Sequence, residues 1–351
     1  MLDIVPETWA VALIGAAGGV LLGLAARLGR FCTLGAIEDL LYGGSARRMR
    51  MWLLAIGVAV TGSFALTAGG VVRPDLSFYY TIQWMPLASI LGGLAFGYGM
   101  ALAGNCGYGA IARLGGGDLR SFVIVLVMGV SAYVVLMGPL APLRDLLFPQ
   151  RDVTGVAPAL PALAEAWTGL PAAAVGLAAG LALCALALAS PDLRRDPKSV
   201  FWASVVGIAV VTGWGGTTWS APTGFEALPV QSHSFSAPVG ESILFAMTGS
   251  ARPVSFAVGS IAGVWAGAFI GSLIKGHFRW EACEDPRELR RQIFGAILMG
   301  GGAVVAMGCT VGQGITAFSV LAVSAPVTFL SIFAGAALGL RQLIEGFQPA
   351  E

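Results

Sequence analysis

The sequence predicts an all-α integral membrane protein of about nine transmembrane helices, interrupted by short broken or re-entrant half-helices and arranged as an inverted repeat about a pseudo-two-fold axis. Three observations predict it. Hydrophobic residues make up 56% of the 351 residues and charged residues 11%, which leaves too little polar surface for a soluble domain of this size. Apolar stretches long enough to cross a bilayer recur along the whole chain. A pattern of glycine and cysteine returns three times at one spacing, and it does not always run the same way through the membrane.

The apolar stretches lie at about 9–28, 52–72, 85–104, 121–141, 171–189, 254–275, 292–308 and 325–341, with a shorter one at 200–213. Basic residues orient them, because short loops rich in Lys and Arg stay on the cytoplasmic side. If the first stretch runs inward, Arg47, Arg48, Arg50, Arg113, Arg120, Arg194, Arg195, Lys198, Lys275, Arg279, Arg287, Arg290, Arg291 and Arg341 face the cytoplasm. Arg73, Arg144, Arg151 and Arg252 face the other side. The imbalance of fourteen to four places the N-terminus outside and the C-terminus inside, as an odd number of spans requires. Asp3 and Glu7 precede the first stretch without any basic residue, unlike a cleavable signal peptide. No linker sets off a soluble domain, so residues 1–351 read as one membrane domain with halves 1–170 and 171–351.

Within that frame, "GGVLLGLAARLGRFCTLGA", "GGLAFGYGMALAGNCGYGA" and "GAILMGGGAVVAMGCTVGQ" align Gly18, Gly23, Cys32 and Gly35 with Gly92, Gly97, Cys106 and Gly109 and with Gly295, Gly300, Cys309 and Gly312. Close helix packing accounts for glycines and burial for a cysteine, but neither accounts for three cysteines in register. The first two copies follow inward stretches and the third an outward one, which is how an inverted repeat reads. A fourth copy is then expected after 200–213, where "VTGWGGTTWSAPTG" has no cysteine and offers Trp214, Thr217, Thr218 and Trp219 as lining groups; interfacial aromatics are the alternative there.

The copies also carry a length problem. Trp9 to Tyr42 is 34 residues with hardly a turn signal, roughly 50 Å as one helix against about 30 Å of hydrocarbon. A break at Cys32, and likewise at Cys106 and Cys309, resolves it, since irregular backbone is tolerated where it lines a cavity. Each break opens a new helix whose free N–H groups and dipole favour an anion. Neutral thiols there hold a large, polarisable anion loosely. Gly35, Gly104, Gly107, Gly109, Gly308, Gly312 and Gly314 are expected to let backbone approach it. Arg27 and Arg30 stand just before Cys32 and either serve the site or snorkel to the interface.

"GRFCTLGA", "GNCGYGAIARL" and "MGCTVGQGITAFS" resemble the three cysteine motifs of the YeeE/YedE family of bacterial inner-membrane proteins that take up sulfur-containing ions, and the resemblance covers essentially the whole chain. It implies an hourglass-shaped fold in which Cys32, Cys106 and Cys309 pass thiosulfate inward by S–H hydrogen bonds. It also implies a partner for some members, a small cytoplasmic TusA-like sulfur carrier, and a selenium compound as the cargo of others. A fused carrier domain is not expected here.

Outside the motifs, Cys184 reads as apolar packing, Cys283 as an incidental loop thiol, His233 and His277 as interfacial, and Glu241 as a helix cap. Two other function classes compete. A membrane thiol oxidoreductase wants a close cysteine pair, and no C-x-x-C occurs. A soft-metal carrier would welcome three thiols, but the absence of nearby His, Met pairs or carboxylates at ligand spacing argues against it. Neither a nucleotide-binding motif nor a cofactor signature is present, so the sequence points to transport, not catalysis, with the cargo anion and membrane lipid as the expected partners.

Overall fold

The computed structural model describes residues 6–149, 159–221, 228–282 and 285–346. Among the described residues the secondary structure is helical, with two isolated bridges, Ser77 with Val230 and Asp118 with Glu281. The first half contains α1 (Glu7–Leu28), α2 (Thr33–Leu41), α3 (Arg47–Ala68), the short α4 (Phe78–Thr81), α5 (Pro86–Ala103), α6 (Gly107–Gly115), α7 (Leu119–Leu136), α8 (Ala141–Leu147) and α9 (Leu160–Thr168). The second contains α10 (Ala172–Leu188), α11 (Pro191–Arg194), α12 (Pro197–Ser220), α13 (Ala237–Thr248), α14 (Phe256–Ile274), α15 (Pro286–Val305) and α16 (Ser324–Ile344). A π-helical segment, Gly312–Ala317, lies between the last two.

Every apolar stretch in the sequence has most of its length in a helix, and seven runs are long and apolar enough to cross a membrane: Glu7–Leu41, Arg47–Ala68, Pro86–Gly115, Leu119–Leu136, Pro197–Ser220, Phe256–Ile274 and Ser324–Ile344. Leu160–Trp167 with Ala172–Leu188, bent by 115°, makes an eighth if taken as one span. The stretch at 292–308 falls largely in α15, whose first turns are charged by Arg287, Glu288, Arg290 and Arg291.

The breaks stand where the length argument requires them. α1 stops at Leu28 and α2 begins after Cys32, whose extended backbone (φ −148°, ψ 131°) forms its N-cap. α5 ends in a left-handed Gly104 (φ 78°), and Cys106 caps α6. α15 ends at Val305, and the helical run of 310–319 begins after Cys309. Gly104 requires glycine, because its left-handed φ of 78° ends α5 in a conformation that other residues rarely adopt.

Glycines on the long helices set the packing. A methyl group built on Gly23 would stand 2.3 Å from the Val264 carbonyl oxygen, one on Gly97 2.0 Å from that of Ile332, and one on Gly300 2.4 Å from that of Met128. These aligned glycines therefore press α1 onto α14, α5 onto α16 and α15 onto α7, backbone against backbone. Gly207 does the same for α12 on α3, 2.7 Å from the Ala55 carbonyl. Helices α1 and α12 also touch each other, as do α5 and α15. Exchanging α1 with α12, α3 with α14, α5 with α15 and α7 with α16 maps these contacts onto themselves, and α2 with α13 follows, since α2 meets α3 and α16 while α13 meets α14 and α7.

One expectation fails in its place. The stretch after 213 does not break: α12 runs on through Ser220, and the next helix, α13, opens only at Ala237. Gly213, Gly215 and Gly216 are thus accommodated within a helix, with Gly216 filled by the Ile14 side chain.

Candidate functional site

The three motif cysteines take one position on three different helices. A methyl built on Gly35 would lie 3.8 Å from the Cys32 sulfur, one on Gly109 3.7 Å from Cys106, and one on Gly312 3.7 Å from Cys309. The reason is local: a residue at the N-cap faces the residue three later, and a sulfur there accepts from an otherwise orphaned backbone N–H. Gly109 donates to the Cys106 sulfur at 3.4 Å, and Gly312 to the Cys309 sulfur at 3.4 Å. The sulfur of Cys32 accepts no such bond and is the most open of the three, half-buried where Cys106 is 0% and Cys309 1% exposed.

The thiols are strung in an order. Cys32 lines a cavity of about 390 Å³ with Arg27, Arg30, Gly35, Glu38, Arg48, Gly104, Asn105, Gly109, Arg113, Ser272, Lys275 and His277. Cys106 comes next: the Thr33 hydroxyl, one residue beyond Cys32, lies 3.9 Å from its sulfur. Cys309 then faces the other side, accepting from the Phe235 N–H at 3.3 Å and lying 3.7 Å from the Ser234 hydroxyl. Ser234 and Gly308 belong to a second cavity of about 260 Å³, lined further by Tyr79, Trp214, Ser232, Ser236 and Glu241.

Charge separates the two cavities. The first gathers five cationic groups against one carboxylate, Glu38. Arg27 donates to the neutral Ser272 hydroxyl at 2.6 Å, and Arg48 lies 3.2 Å from Asp39. Lys275 donates to the Arg27 carbonyl at the end of α1, and its ammonium is held below its ordinary pKa by burial first and then by Arg30 and Arg27. So many cations around one cavity create a potential that attracts an anion. The second cavity offers hydroxyls, with the Glu241 carboxylate bonded to Ser255.

The segment that holds Cys309 was not legible. Residues 228–236 run non-helically into α13, and hydroxyls fix them from several sides. Ser232 donates to the Val210 carbonyl at 2.8 Å and Thr316 to that of His233 at 2.6 Å. Thr217 donates to the Gln231 carbonyl at 2.8 Å and accepts its N–H at 3.2 Å. Ser236, at the N-cap of α13, is 1% exposed and has no partner. The available signal was the polar alternation "QSHSFS" followed by Pro238 in a helix's first turn.

The other expected residues fall into two groups. Gly35, Gly104 and Gly109 line the first cavity, Gly308 lines the second, and Gly312 abuts Ser234 at 2.7 Å from a built methyl. Gly107 is closed by Met128 and Gly314 by Phe329, so these two serve packing. Thr217 anchors 228–236 and Thr218 is buried; Trp214 reaches the second cavity and bonds Ser319 at 2.8 Å, while Trp219 is exposed. Arg27 and Arg30 face the first cavity instead of reaching away from it.

His233 is fully buried, 2.7 Å from Ser260, and not interfacial. His277 is exposed at the first cavity. Glu241 lies inside α13 and does not cap it. Cys184 packs against Gly57 on α3, and Cys283 lies outside the described residues. Among the described residues Cys32, Cys106, Cys184 and Cys309 are free thiols, and no three His, Cys, Asp or Glu side chains gather as metal ligands.

Residues 28–338 match the family described as Sulphur transport. The chain is similar to the thiosulfate transporter TsuA of Escherichia coli strain K12, 26% identical over 313 residues that make up 86% of each chain. It is also similar to the thiosulfate transporter TsuA of Spirochaeta thermophila, 24% identical over 317 residues, 87% of this chain and 91% of the relative.

Proposed function

The chain belongs to the sulphur transport (YeeE/YedE) family, and from that membership we propose that it carries thiosulfate, or a close sulfur oxyanion, across the bacterial inner membrane into the cytoplasm. The observation that carries the reading is the string of three N-cap thiols between two cavities of unlike charge. The ion enters the hydroxyl-lined cavity, passes Cys309, Cys106 and Cys32 in that order, and leaves through the cavity of Arg27, Arg30, Arg48, Arg113 and Lys275. At Cys309 and Cys106 the S–H is turned to the ion while the sulfur's lone pair takes a backbone N–H, and at Cys32 the sulfur is open to the basic cavity, so the thiols stay neutral and the ion is not trapped. The half-helix termini supply the positive potential that offsets desolvation of a dianion.

The enclosed Cys106 between two open cavities supports an hourglass shape, and the exchange of contacts between α1 and α12 and between α5 and α15 supports two inverted halves. With α10 and α15 as spans the count is nine, the N-terminus lies outside and the basic cavity opens inward. The fourth lining element is 228–236 with Ser236 and α13, and Thr217 serves it as an anchor. A small TusA-like carrier would meet the ion at the basic mouth. Glycines 35, 104, 109, 308 and 312 keep the path open. The protein acts as a transporter without catalysing a reaction.

The test is growth on thiosulfate as sole sulfur source in a bacterial strain lacking its own uptake. Cys32→Ala, Cys106→Ala and Cys309→Ala should abolish growth, and Cys184→Ala and Cys283→Ala should preserve it. Equal growth of all five variants would refute the relay, and a membrane-resident wild type that supports no growth would refute the cargo.

A further inference from the structure

The Asn105 side chain stands out among buried polar groups. It is 1% exposed, it belongs to the lining of the basic cavity beside Cys32, and neither its oxygen nor its nitrogen has a partner. A buried carboxamide without hydrogen bonds costs stability, so such a group asks for a ligand. Its position says where that ligand passes. A methyl group built on Gly109, which lines the same cavity, would lie 3.3 Å from the Asn105 Cβ and 3.7 Å from the Cys106 sulfur. Asn105 therefore stands beside the enclosed Cys106, on the lining of the cavity that Cys32 shares.

Resting on the transport reading above, we propose that Asn105 is a cargo-binding, specificity-determining residue: its Nδ2 amide donates to an oxygen of the sulfur oxyanion during passage from Cys106 to Cys32. Thiosulfate has two unlike ends, a polarisable sulfur and a sulfonate face of oxygens. Soft thiols suit the first and an amide N–H suits the second. The carboxamide is neutral, so it marks the oxygen end without the hold that an arginine fork would exert at a constriction. The cationic side chains of the cavity, starting with Arg27, then draw the ion onward. An anion lacking the sulfur end engages Asn105 but not the thiols, and one lacking oxygens does the reverse.

The experiment is initial-rate uptake of radiolabelled thiosulfate by cells carrying wild type, Asn105→Leu or Asn105→Asp, with membrane level and detergent-phase melting temperature measured alongside. Leucine keeps the volume and removes the donor; aspartate keeps the shape and adds a repelling charge. The maximal rate should fall about tenfold or more in the leucine variant, the scale of a lost hydrogen bond to a charged partner, and further in the aspartate variant. The half-saturating concentration should change by less than about threefold, since capture occurs at the opposite cavity. Melting temperatures should not fall, because the wild-type carboxamide has no internal partner to lose. A leucine variant transporting at the wild-type rate overturns the proposal, as does a fall in rate matched by a fall in melting temperature with aspartate no worse than leucine. If the wild type takes up no thiosulfate the transport reading falls too; if Cys106→Ala abolishes uptake and the Asn105 variants do not, this inference alone falls.

Discussion

Replacing Gly35 by alanine should raise stability or leave it unchanged while lowering transport. Gly35 is the third residue of α2, at a position with no positive φ, so alanine gains about 1 kcal/mol of helix propensity. The added methyl meets one atom closely, the Arg48 Nη1 at 2.5 Å, which is the far end of a flexible side chain. Turning that guanidinium aside weakens its 3.2 Å pairing with Asp39, a partly exposed contact of about 0–1 kcal/mol. The balance is zero or favourable. The same methyl stands 3.8 Å from the Cys32 sulfur, in van der Waals contact on the cavity side. An ion approaching there loses its S–H bond, about 1.5–3 kcal/mol for a charged acceptor, or roughly tenfold to a hundredfold in rate. Melting temperature in detergent and uptake of labelled thiosulfate read the two effects separately. Wild-type uptake would mean that this face of the thiol is not used, and parallel losses of stability and uptake would mean that the glycine is structural.

Two further outcomes follow from the same geometry. Alkylation by a membrane-impermeant maleimide should label Cys32 from the basic side in inverted vesicles and spare Cys106, with excess thiosulfate slowing the labelling; rapid labelling of Cys106 would contradict its enclosure. Thr217→Val removes the buried hydroxyl that both donates to and accepts from Gln231, so it should cost about 1–3 kcal/mol, lower the melting temperature and reduce uptake, and an unchanged melting temperature would show that residues 228–236 are held by other contacts.

The motif cysteines and the breaks beside them were readable because each states a local rule: an excess of helix length over bilayer thickness, and a spacing of three between an N-cap and the glycine it faces. The fourth lining element that we propose was not readable, because what relates it to α2 is packing. Gly207 presses on α3 as Gly23 presses on α14, but α12 then continues to Ser220 and the half-helix opens only at Ala237. Sequence spacing carries no trace of that detour. Thr217 and Thr218 looked like lining because they are hydroxyls near the expected break, whereas an uninterrupted helix turns Thr217 toward Gln231. His233 was misplaced for a related reason: polar residues between apolar stretches suggest an interface, and here a polar segment folds back into the protein interior. Glu241 was expected to open a helix, and α13 starts four residues earlier, at Ala237.

The glycine seam between α1 and α14 bears on how the chain is made. Gly15, Gly19 and Gly23 abut carbonyls of Phe256, Ser260 and Val264, while Gly259, Gly263 and Gly267 abut those of Ala12, Ala16 and Val20. Arg27 meets Ser272, a residue 245 positions later. At roughly 5–20 residues per second of synthesis, the first helix waits tens of seconds for its partner. During that interval its grooved face touches lipid or the insertion machinery, where nothing fills the grooves so closely. A nascent chain released before Phe256 should therefore remain a loose collection of inserted helices, recognised by quality-control proteases, and commitment to the native packing comes only as the last third of the chain enters the bilayer.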